Sequence, residues 1–298
     1  MANNFENGYA SKYTGEIDKL IVQTAKTGFL ADNAFKAKFV GSKTVYLPEI
    51  SMEGMGTYSR TGGYPKSDTT LTYTPYTLSQ ERGAQLFIDA QDADESGVPD
   101  LVGKMVGEFT RTQAVPEIDA YILSALYKTA AASADTNIVA YAAETAVKGL
   151  LQLINNAEAA MEYDGGTSLV AMVDPTLYNL LMTSNELQRF ITVSDFKQGE
   201  INLKVKNLNG CSIIPVSASR MKSDYNFSDK GFTAADGAQD VRAIVLPKDS
   251  ASFVKKVDKV DVLNPSQVED YDAYKINFRM YYDLIVKNSR KKTIFAMV

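Results

Sequence analysis

The most regular pattern in the sequence lies near its C-terminal end. Every second residue from 274 to 284 is apolar or aromatic: Tyr274, Ile276, Phe278, Met280, Tyr282 and Leu284. A period of two predicts a long β-strand with one face buried. A basic turn over residues 287–292 and an apolar run over residues 293–298 predict a last strand that is tied into a sheet. Because a single strand cannot bury its apolar face alone, we expect an antiparallel sheet around it.

The second constraint is a helical pattern in the middle of the chain. It opens at Pro99, and its apolar stripe is Leu101, Val102, Met105, Val106 and Phe109, followed by Ile118, Ile122, Ala125 and Leu126. Pro116 predicts a kink or a division into two helices, because proline has no N–H for the helical bond. An uninterrupted helix of about 30 residues would be roughly 45 Å long. A helix of that length is typical of a backbone across which other elements pack.

Shorter patterns predict the remaining elements. Helices are expected over residues 13–27, ended by Gly28, over residues 147–161, ended by Gly165 and Gly166, and after the Asp174-Pro175 cap. Strands are expected over residues 43–47, 84–88, 168–173, 201–205, 212–216 and 241–246. The alanine-rich stretch near residues 130–134 indicates a domain boundary. The acidic stretch over residues 89–100 indicates a solvated loop, and residues 221–240 are expected to form a polar insertion.

The segment over residues 48–68 is rich in glycine. Residues 51–65 contain four glycines and no helical stripe, whereas the flanking segments are strand-like. Pro48 is expected to end the first strand, and an apolar phase that slips by one at Pro75 indicates a bulge or an edge strand. The pattern predicts a long two-stranded arm with a glycine-rich tip. Because an isolated hairpin is marginally stable in water, the arm should lie either on its own domain or on a neighbouring subunit.

The side chains on which most enzymes depend are scarce. Histidine is absent and Cys211 is the only cysteine, which excludes Ser-His-Asp and Cys-His catalysis and zinc sites built from Cys and His within one chain. Cys211 lies in an apolar run and is expected to be a core residue. A hydrolase that uses carboxylates alone stays open, because acidic pairs are common in a chain with 36 Asp and Glu.

Three motifs that would bind a cofactor or metal are incomplete. Residues 97–105 have five residues between the glycines of a phosphate loop, where four are needed, and Met105 at the magnesium position. A calcium-loop pattern that starts at Asp92 reaches Gly103 where the last Glu should be, and Gly54 and Gly56 lack the third glycine of a dinucleotide fingerprint. We therefore expect no cofactor and no metal.

The charge and hydropathy exclude two further classes. The net charge is −5, whereas a protein that grips duplex DNA should have a basic excess. No apolar run approaches the roughly 20 residues of a membrane-spanning helix, and the first residues show no signal peptide. We expect no membrane association.

Three segments carry a resemblance to a known family. They are an acidic pair before an apolar run (residues 115–123), a Gly-apolar-Pro-Val strand (residues 206–216) and closing strands (residues 274–284 and 286–298). With the polar N-terminal arm, the glycine-rich hairpin and the long helix, their order resembles the major capsid proteins of tailed double-stranded DNA bacteriophages. The fold of that family is the HK-97-type shell fold, which encapsulins share. The resemblance covers nearly the whole chain.

The resemblance implies an α+β, HK-97-like fold with four parts. Residues 1–47 would be the N-terminal arm and lead-in strand, residues 48–80 the extended loop, residues 81–135 and 241–298 the peripheral domain with its spine helix, and residues 136–240 the axial domain, with loops near residues 183–200 and 221–240 at the symmetry axes. The implied inter-subunit contact residues of the extended loop are Gly54, Gly56, Tyr58, Arg60, Gly62, Gly63 and Lys66. In some relatives a lysine of this loop forms an isopeptide cross-link, and Lys66 is the one lysine available here.

The implied function is that of a non-enzymatic major capsid protein, which self-assembles into the icosahedral shell around the double-stranded DNA genome of a tailed phage or prophage. Its partners would be further copies in pentamers and hexamers, a separate scaffolding protein, a portal, and packaged DNA held by non-specific contact. Its location would be the virion, after synthesis in the host bacterial cytoplasm. The alternatives are an encapsulin-like nanocompartment shell, a histidine-free carboxylate hydrolase and a trimeric tail or baseplate adhesin.

Overall fold

The computed structural model describes residues 17, 19–31, 38–40, 43–95, 101–161, 168–184, 191–198, 201–228, 230–268 and 272–298. Its strands are β1 (Lys38–Val40), β2 (Thr44–Met52), β3 (Thr69–Thr77), β4 (Gln80–Asp89), β5 (Ile138–Val139), β6 (Leu169–Val173), β7 (Ile191–Gln198), β8 (Ile201–Leu208), β9 (Cys211–Pro215), β10 (Tyr225–Ser228), β11 (Gly231–Ala234), β12 (Ala243–Pro247), β13 (Ala251–Leu263), β14 (Ala273–Val286) and β15 (Phe295–Met297). Its α-helices are α1 (Ala90–Glu95), α2 (Leu101–Phe109), α3 (Val115–Ser133), α4 (Ala146–Ala159) and α5 (Pro175–Thr183). Short 3₁₀-helices cover Gly28–Leu30, Asp135–Asn137, Ala218–Arg220, Pro265–Gln267 and Asn288–Thr293.

A seven-stranded mixed sheet, with the order β5-β15-β12-β6-β9-β8-β7, lies at the centre of the fold. All five residues of β6 and of β12 are buried, because α4 and α5 cover one face of the sheet and α3 covers the other. Val170 and Met172 of β6 pack on the α3 side, whereas Leu169, Ala171 and Val173 pack on the α4 side. A strand buried on both faces needs an unbroken apolar run, and this confirms the strands predicted over residues 168–173 and 241–246.

β12 and β15 lie in this sheet beside strands from the middle of the chain. The predicted grouping places residues 241–298 with the closing antiparallel strands, but β12 pairs with β6, and β15 pairs with β12 and β5. The physical reason is that every residue of both strands is buried, and such strands belong inside a covered sheet. The division of the chain into domains stays a prediction.

A second sheet has three antiparallel strands in the order β13-β14-β4. β13 and β14 pair from Ala251 opposite Val286 to Leu263 opposite Lys275, with a bulge within residues 257–259. β4 pairs with the other side of β14. This sheet confirms the strands predicted over residues 84–88 and 274–284. No pattern predicts β13, because lysines and aspartates interrupt its valines.

α2, a π-turn over Thr110–Ala114 and α3 form one helical segment over residues 101–133. The N–H of Val115 donates to the carbonyl of Thr110, five residues back, and Pro116 lies in the first turn of α3. The π-turn changes the hydrogen-bond register and so accommodates a residue without an N–H. The chain is therefore distorted at the proline but not divided. Met105, predicted in the apolar stripe, is 41% exposed, and the predicted start at Pro99 lies outside the described residues.

A helical segment over residues 19–24 confirms the predicted N-terminal helix, but Gly28 does not end it as a left-handed cap. Gly28 has no positive φ and begins a 3₁₀-helix. A Cβ at Gly28 would lie 2.0 Å from the carbonyl oxygen of Val22 and 2.6 Å from Gln198 Nε2. Glycine is needed here for close approach and not for its conformation.

Three segments predicted as loops contain regular structure. Residues 90–95 of the acidic stretch form α1, residues 191–198 form β7, and the polar insertion contains the β10–β11 hairpin. β7 is the edge strand of its sheet and leaves Val193 65% exposed, so its sequence has no continuous apolar run. The glycines at residues 165 and 166 lie outside the described residues.

Two smaller predictions concern caps and the cysteine. The Asp174 carboxylate accepts the N–H of Leu177 at 2.8 Å, which confirms the predicted cap of α5. Cys211 is fully buried, as predicted for a core residue. Burial, with a smaller contribution from Glu158, raises the pKa of the Cys211 thiol to about 12.

In the part of the chain that the structure describes, no helix is long and apolar enough to cross a membrane.

Candidate subunit interface

β2 and β3 form a two-stranded antiparallel ribbon with a continuous register from Thr44 opposite Thr77 to Met52 opposite Thr69. We call residues 44–77 the ribbon and residues 53–68 its tip. A strand of nine residues is roughly 30 Å long at about 3.3 Å per residue. The glycine-rich arm predicted from the sequence is therefore confirmed as a hairpin.

Both prolines of the ribbon are tolerated because they lie where pairing is incomplete. The predicted end of a strand at Pro48 is wrong, because β2 continues to Met52. In the described residues β1 pairs only with Thr44 to Tyr46 of β2. The missing N–H of Pro48 therefore breaks no hydrogen bond to a described strand on that edge. Pro75 lies in β3, the edge strand of its sheet. The register does not shift there, so the structure selects the edge strand over the bulge.

The tip is closed by a turn over residues 59–63. The N–H of Gly63 donates to the carbonyl of Ser59 at 2.8 Å, and the N–H of Gly62 donates to Ser59 Oγ at 3.0 Å. Gly63 has φ = +79°, a left-handed conformation that favours glycine. A Cβ at Gly56 would lie 3.0 Å from the Pro65 ring. The turn and the close approach account for two of the four glycines.

The ribbon exposes most of the large apolar side chains that the described residues leave in solvent. Of nine such side chains, six lie in the ribbon: Met52, Met55, Tyr58, Tyr64, Leu71 and Tyr73. The rings of Tyr58 and Tyr64 lie 5.1 Å apart. Apolar groups clustered on an exposed surface mark an interaction site. The sequence lists these residues but does not show that they are exposed. They are exposed because the hairpin extends away from the rest of the fold.

The seven predicted contact residues, Gly54, Gly56, Tyr58, Arg60, Gly62, Gly63 and Lys66, all lie in the tip. Gly63 is partly buried and the others are exposed. Their contact with a second subunit stays a prediction. The structure adds Met55 and Tyr64 to the candidate contact residues, because both are exposed in the tip. Sequence reasoning could have found them, since large apolar residues among glycines are unusual in a turn.

The base of the ribbon is fixed to the second sheet. Val45 and Leu78 are buried against Val254, Tyr281 and Ile285. This apolar contact orients the ribbon relative to β13 and β14, so that the tip extends away from its own anchor.

A charged cluster reinforces the base. The Glu81 carboxylate accepts hydrogen bonds from Lys43 Nζ, from the Tyr281 hydroxyl at 2.9 Å and from Arg279 Nε at 3.0 Å. These bonds, that of Lys43 first, lower the pKa of Glu81 from 4.5 to about 2. The same pairing raises the pKa of Lys43. A carboxylate with three donors stays charged across the physiological range and holds β2 beside β4 and β14.

The acidic pair of residues 115–123 ties other segments to the long helix. Glu117 accepts two hydrogen bonds from Arg82 of β4, at 2.6 and 3.2 Å. Asp119 is fully buried and accepts the Thr27 N–H at 3.0 Å, its hydroxyl at 2.7 Å and Arg220 Nη1 at 2.9 Å. Both carboxylates therefore hold the fold together: Asp119 is fully buried, and Glu117, which lines an open groove, is paired with Arg82.

Groups suited to metal binding are not assembled in the described residues, where no cluster of three or more Cys, Asp or Glu side chains occurs. The large apolar side chains exposed at the ribbon tip are the aromatic rings of Tyr58 and Tyr64 and the side chain of Met55, among glycines and polar residues. The ribbon can bind another protein surface through apolar contact and strand edges.

Comparison with known proteins identifies the fold. No family model and no curated protein matches the chain. The asymmetric unit of the mature capsid of bacteriophage PhiM1 matches with a TM-score of 0.54 and 15% identity, over 86% of this chain and 82% of that chain. Microbacterium phage Oxtober96 matches with a TM-score of 0.55 and 12% identity, over 90% of each chain. A virus-like particle from Pyrococcus furiosus matches with a TM-score of 0.53 and 10% identity, over 97% of this chain and 99% of that chain. The chain has a mixed helix and sheet fold that matches phage capsid proteins.

Proposed function

We propose that the chain is the subunit of a protein shell, and that it assembles with copies of itself into the icosahedral capsid around the double-stranded DNA genome of a tailed bacteriophage. The observation that carries the proposal is the capsid fold over more than four fifths of the chain, joined to a ribbon on which six large apolar side chains are exposed in the described part of the chain. A shell subunit needs contacts that repeat between copies and close on themselves.

The domain division follows the HK-97 scheme in this proposal. Residues 1–47 are the N-terminal arm, residues 48–80 the extended loop, and residues 81–135 and 241–298 the peripheral domain, with α2 and α3 as its spine. Residues 136–240 are the axial domain. We change this scheme at one point: β12 and β15, although they lie within residues 241–298, pair inside the seven-stranded sheet, and this pairing supports moving both strands to the axial side.

The ribbon is the element that reaches a neighbouring subunit. Its tip residues, from Gly54 to Lys66, are the proposed contacts, and its base is immobilised on Val254, Tyr281 and Ile285. An arm of this kind adds interface area without enlarging the core. Pentamers and hexamers, a scaffolding protein, a portal and non-specific contact with packaged DNA are the proposed partners.

We assign no catalytic activity to the subunit. The sequence has no histidine, and its one cysteine is buried with a raised pKa. The alternative of a carboxylate hydrolase gains no support from Glu117 and Asp119, since Glu117 is paired with Arg82 and Asp119 is fully buried among structural partners.

Electron microscopy of the purified protein, with a scaffolding protein if one is required, tests the proposal. Closed shells are expected. A variant that lacks residues 54–63 should keep the far-ultraviolet circular dichroism and the unfolding midpoint of the intact subunit, but it should not close shells. Monomers under every assembly condition would overturn the shell proposal. Normal shells from the deletion variant would overturn the role of the ribbon.

A nanocompartment shell without a genome is the second candidate. The match to a chain described as a virus-like particle from Pyrococcus furiosus covers nearly all of both chains, and it supports a protein shell of either kind. Nucleic acid that resists nuclease inside particles purified from the natural source would support the capsid. Particles that contain a protein cargo and no nucleic acid would support the nanocompartment.

A further inference from the structure

An open groove lies between the edge strand β4, the π-turn and the β10–β11 hairpin. Its volume is about 630 Å³. Its apolar floor consists of the partly buried side chains of Leu86, Phe109 and Phe232, which lie with the buried Phe278 and Met280 in its lining. The exposed Gln85, Gln113 and Lys230 form its polar rim. A pocket with an apolar floor and a few polar groups at the rim suits an aromatic side chain with a hydroxyl at its end.

The walls of the groove are fixed before anything binds. Arg82 pairs with Glu117 on α3, and its Nη2 donates to the carbonyls of Ser228 at 2.8 Å and Gly231 at 3.1 Å. One side chain thereby joins the strand, the helix and the hairpin. Gly83 has no side chain to fill the opening, and a Cβ there would lie 3.0 Å from the carbonyl oxygen of Phe278. A rigid, preformed pocket loses little conformational entropy on binding.

The ribbon tip carries groups that match this groove. Tyr58 and Tyr64 are 55% and 87% exposed, and their rings contact each other. Within the described residues, the hydrogen bonds and ring contacts of the tip join tip residues to one another. The pair therefore has no partner outside the tip among the described residues. Tyrosines buried in a pocket with a polar rim are typical energetic centres of protein interfaces.

We infer that the groove between β4, the π-turn and the β10–β11 hairpin receives the Tyr58–Tyr64 pair of a second copy of this chain. The tyrosine rings would cover the apolar floor, and their hydroxyls would bond to the amide and ammonium groups of the rim. The inference rests on the proposed shell function and adds the receiving site. It makes the contact heterologous, because tip and groove are different surfaces, and such contacts generate rings when the rotation closes.

Cross-linking between differently labelled copies tests the contact. One preparation carries Tyr64→Cys and the other Gln113→Cys, and the two are mixed, assembled and treated with a short bismaleimide. Cys211 is fully buried and should not react in the folded subunit. A covalent dimer is expected from this mixture. The matched control mixes Tyr64→Cys with Lys204→Cys, an exposed position on β8, and should give little dimer.

A groove-filling variant tests the same contact without cysteines. Ala114→Phe places a ring in the groove, and Thr112→Phe places the same ring on the π-turn at a position that does not line it. Ala114→Phe should raise the protein concentration needed for assembly by about 30-fold, the effect of losing one interface anchor, while Thr112→Phe should not. The thermal midpoints of both unassembled subunits are measured, so that misfolding is recognised.

The outcomes separate this inference from the proposed function. Shells that form with no preferred Tyr64–Gln113 cross-link, and with Ala114→Phe at the wild-type concentration, would overturn the groove assignment and leave the shell intact. No shells from the unmodified protein would overturn the shell proposal. Cross-linking of Tyr64→Cys to the control position as strongly as to Gln113→Cys would also count against the groove.

Discussion

The ribbon and the seven-stranded sheet use large apolar residues in opposite ways. In β6 and β12 every residue is buried, because helices cover both faces of the sheet. In the ribbon, Met55 is fully exposed and Tyr64 nearly so. Burial of apolar area stabilises a fold only where it removes the side chain from water. The exposed apolar residues of the ribbon therefore contribute little to the stability of the subunit, and association with another molecule is the event that would bury them.

The comparison also separates two kinds of carboxylate. Asp119 in the body is fully buried and joins the N-terminal segment, the long helix and Arg220. Glu53 in the ribbon tip is exposed and accepts one N–H, from Asp68 at 3.3 Å. A buried charge with many partners is costly to disrupt, whereas an exposed one is not.

The largest effect on subunit stability is expected at Asp119. Asp119→Ala removes the acceptor of Thr27 and the counter-charge of Arg220, and should lower the free energy of unfolding by about 3–5 kcal/mol. Glu53→Ala, the matched change in the tip, should cost less than about 0.5 kcal/mol. Urea unfolding of the unassembled subunit measures both. Equal losses at the two positions would contradict the comparison.

The next effect compares two leucines. Leu150 is fully buried on α4, whereas Leu71 of β3 is 56% exposed. Leu150→Ala should lower the free energy of unfolding by about 2–5 kcal/mol, because it leaves a cavity. Leu71→Ala should change it by less than about 0.5 kcal/mol and should instead lower the yield of shells. A destabilised Leu71→Ala subunit would show that the ribbon packs on its own body.

Much of the fold can be predicted from the sequence where one local rule dominates. The alternation of β14, the apolar run of β6 and the Asp174 cap each determine their element locally. β7 and β13 could not be predicted, because edge position and interspersed charges weaken their patterns. The strand end predicted at Pro48 was wrong for a related reason. A proline ends a strand only where a neighbouring strand needs its N–H, and the sequence does not show which residues have such a neighbour.

The candidate site divides in the same way. The glycines of the tip predict a turn, because their conformational freedom is a property of the residue type. The receiving groove could not be predicted, because β4, the π-turn and the β10–β11 hairpin are distant in sequence and meet only in the folded chain. Arg82 gives no signal in the sequence that it binds the carbonyls of Ser228 and Gly231.

A smaller, local effect is expected at the turn of the tip. Gly63→Ala forces a Cβ into the left-handed region, at a cost of about 1–2 kcal/mol. Because the Gly63 N–H is bonded to Ser59, amide exchange at residue 63 should accelerate about 5–30-fold, while global unfolding is unchanged. Gly54→Ala is the control, since a Cβ there meets nothing within 4 Å and its φ is not positive. Equal acceleration in both variants would argue against strain at Gly63.

The smallest effect concerns pH and the base of the ribbon, where the ribbon meets the body. The folded-state pKa of Glu81 is lowered from 4.5 to about 2, first by Lys43 and then by Tyr281 and Arg279. A depressed pKa means that the charged form is favoured by folding, so its stabilisation is complete above about pH 4.5 and declines as the pH falls toward 2. Because Glu81 is solvent-exposed, the change should be modest. The difference in unfolding free energy between the wild type and Glu81→Gln should therefore be largest above pH 5 and should shrink below it. A difference that is constant with pH would mean that the pKa of Glu81 is the same in the folded and unfolded states, and that its charge has no part in fixing the ribbon to the sheet.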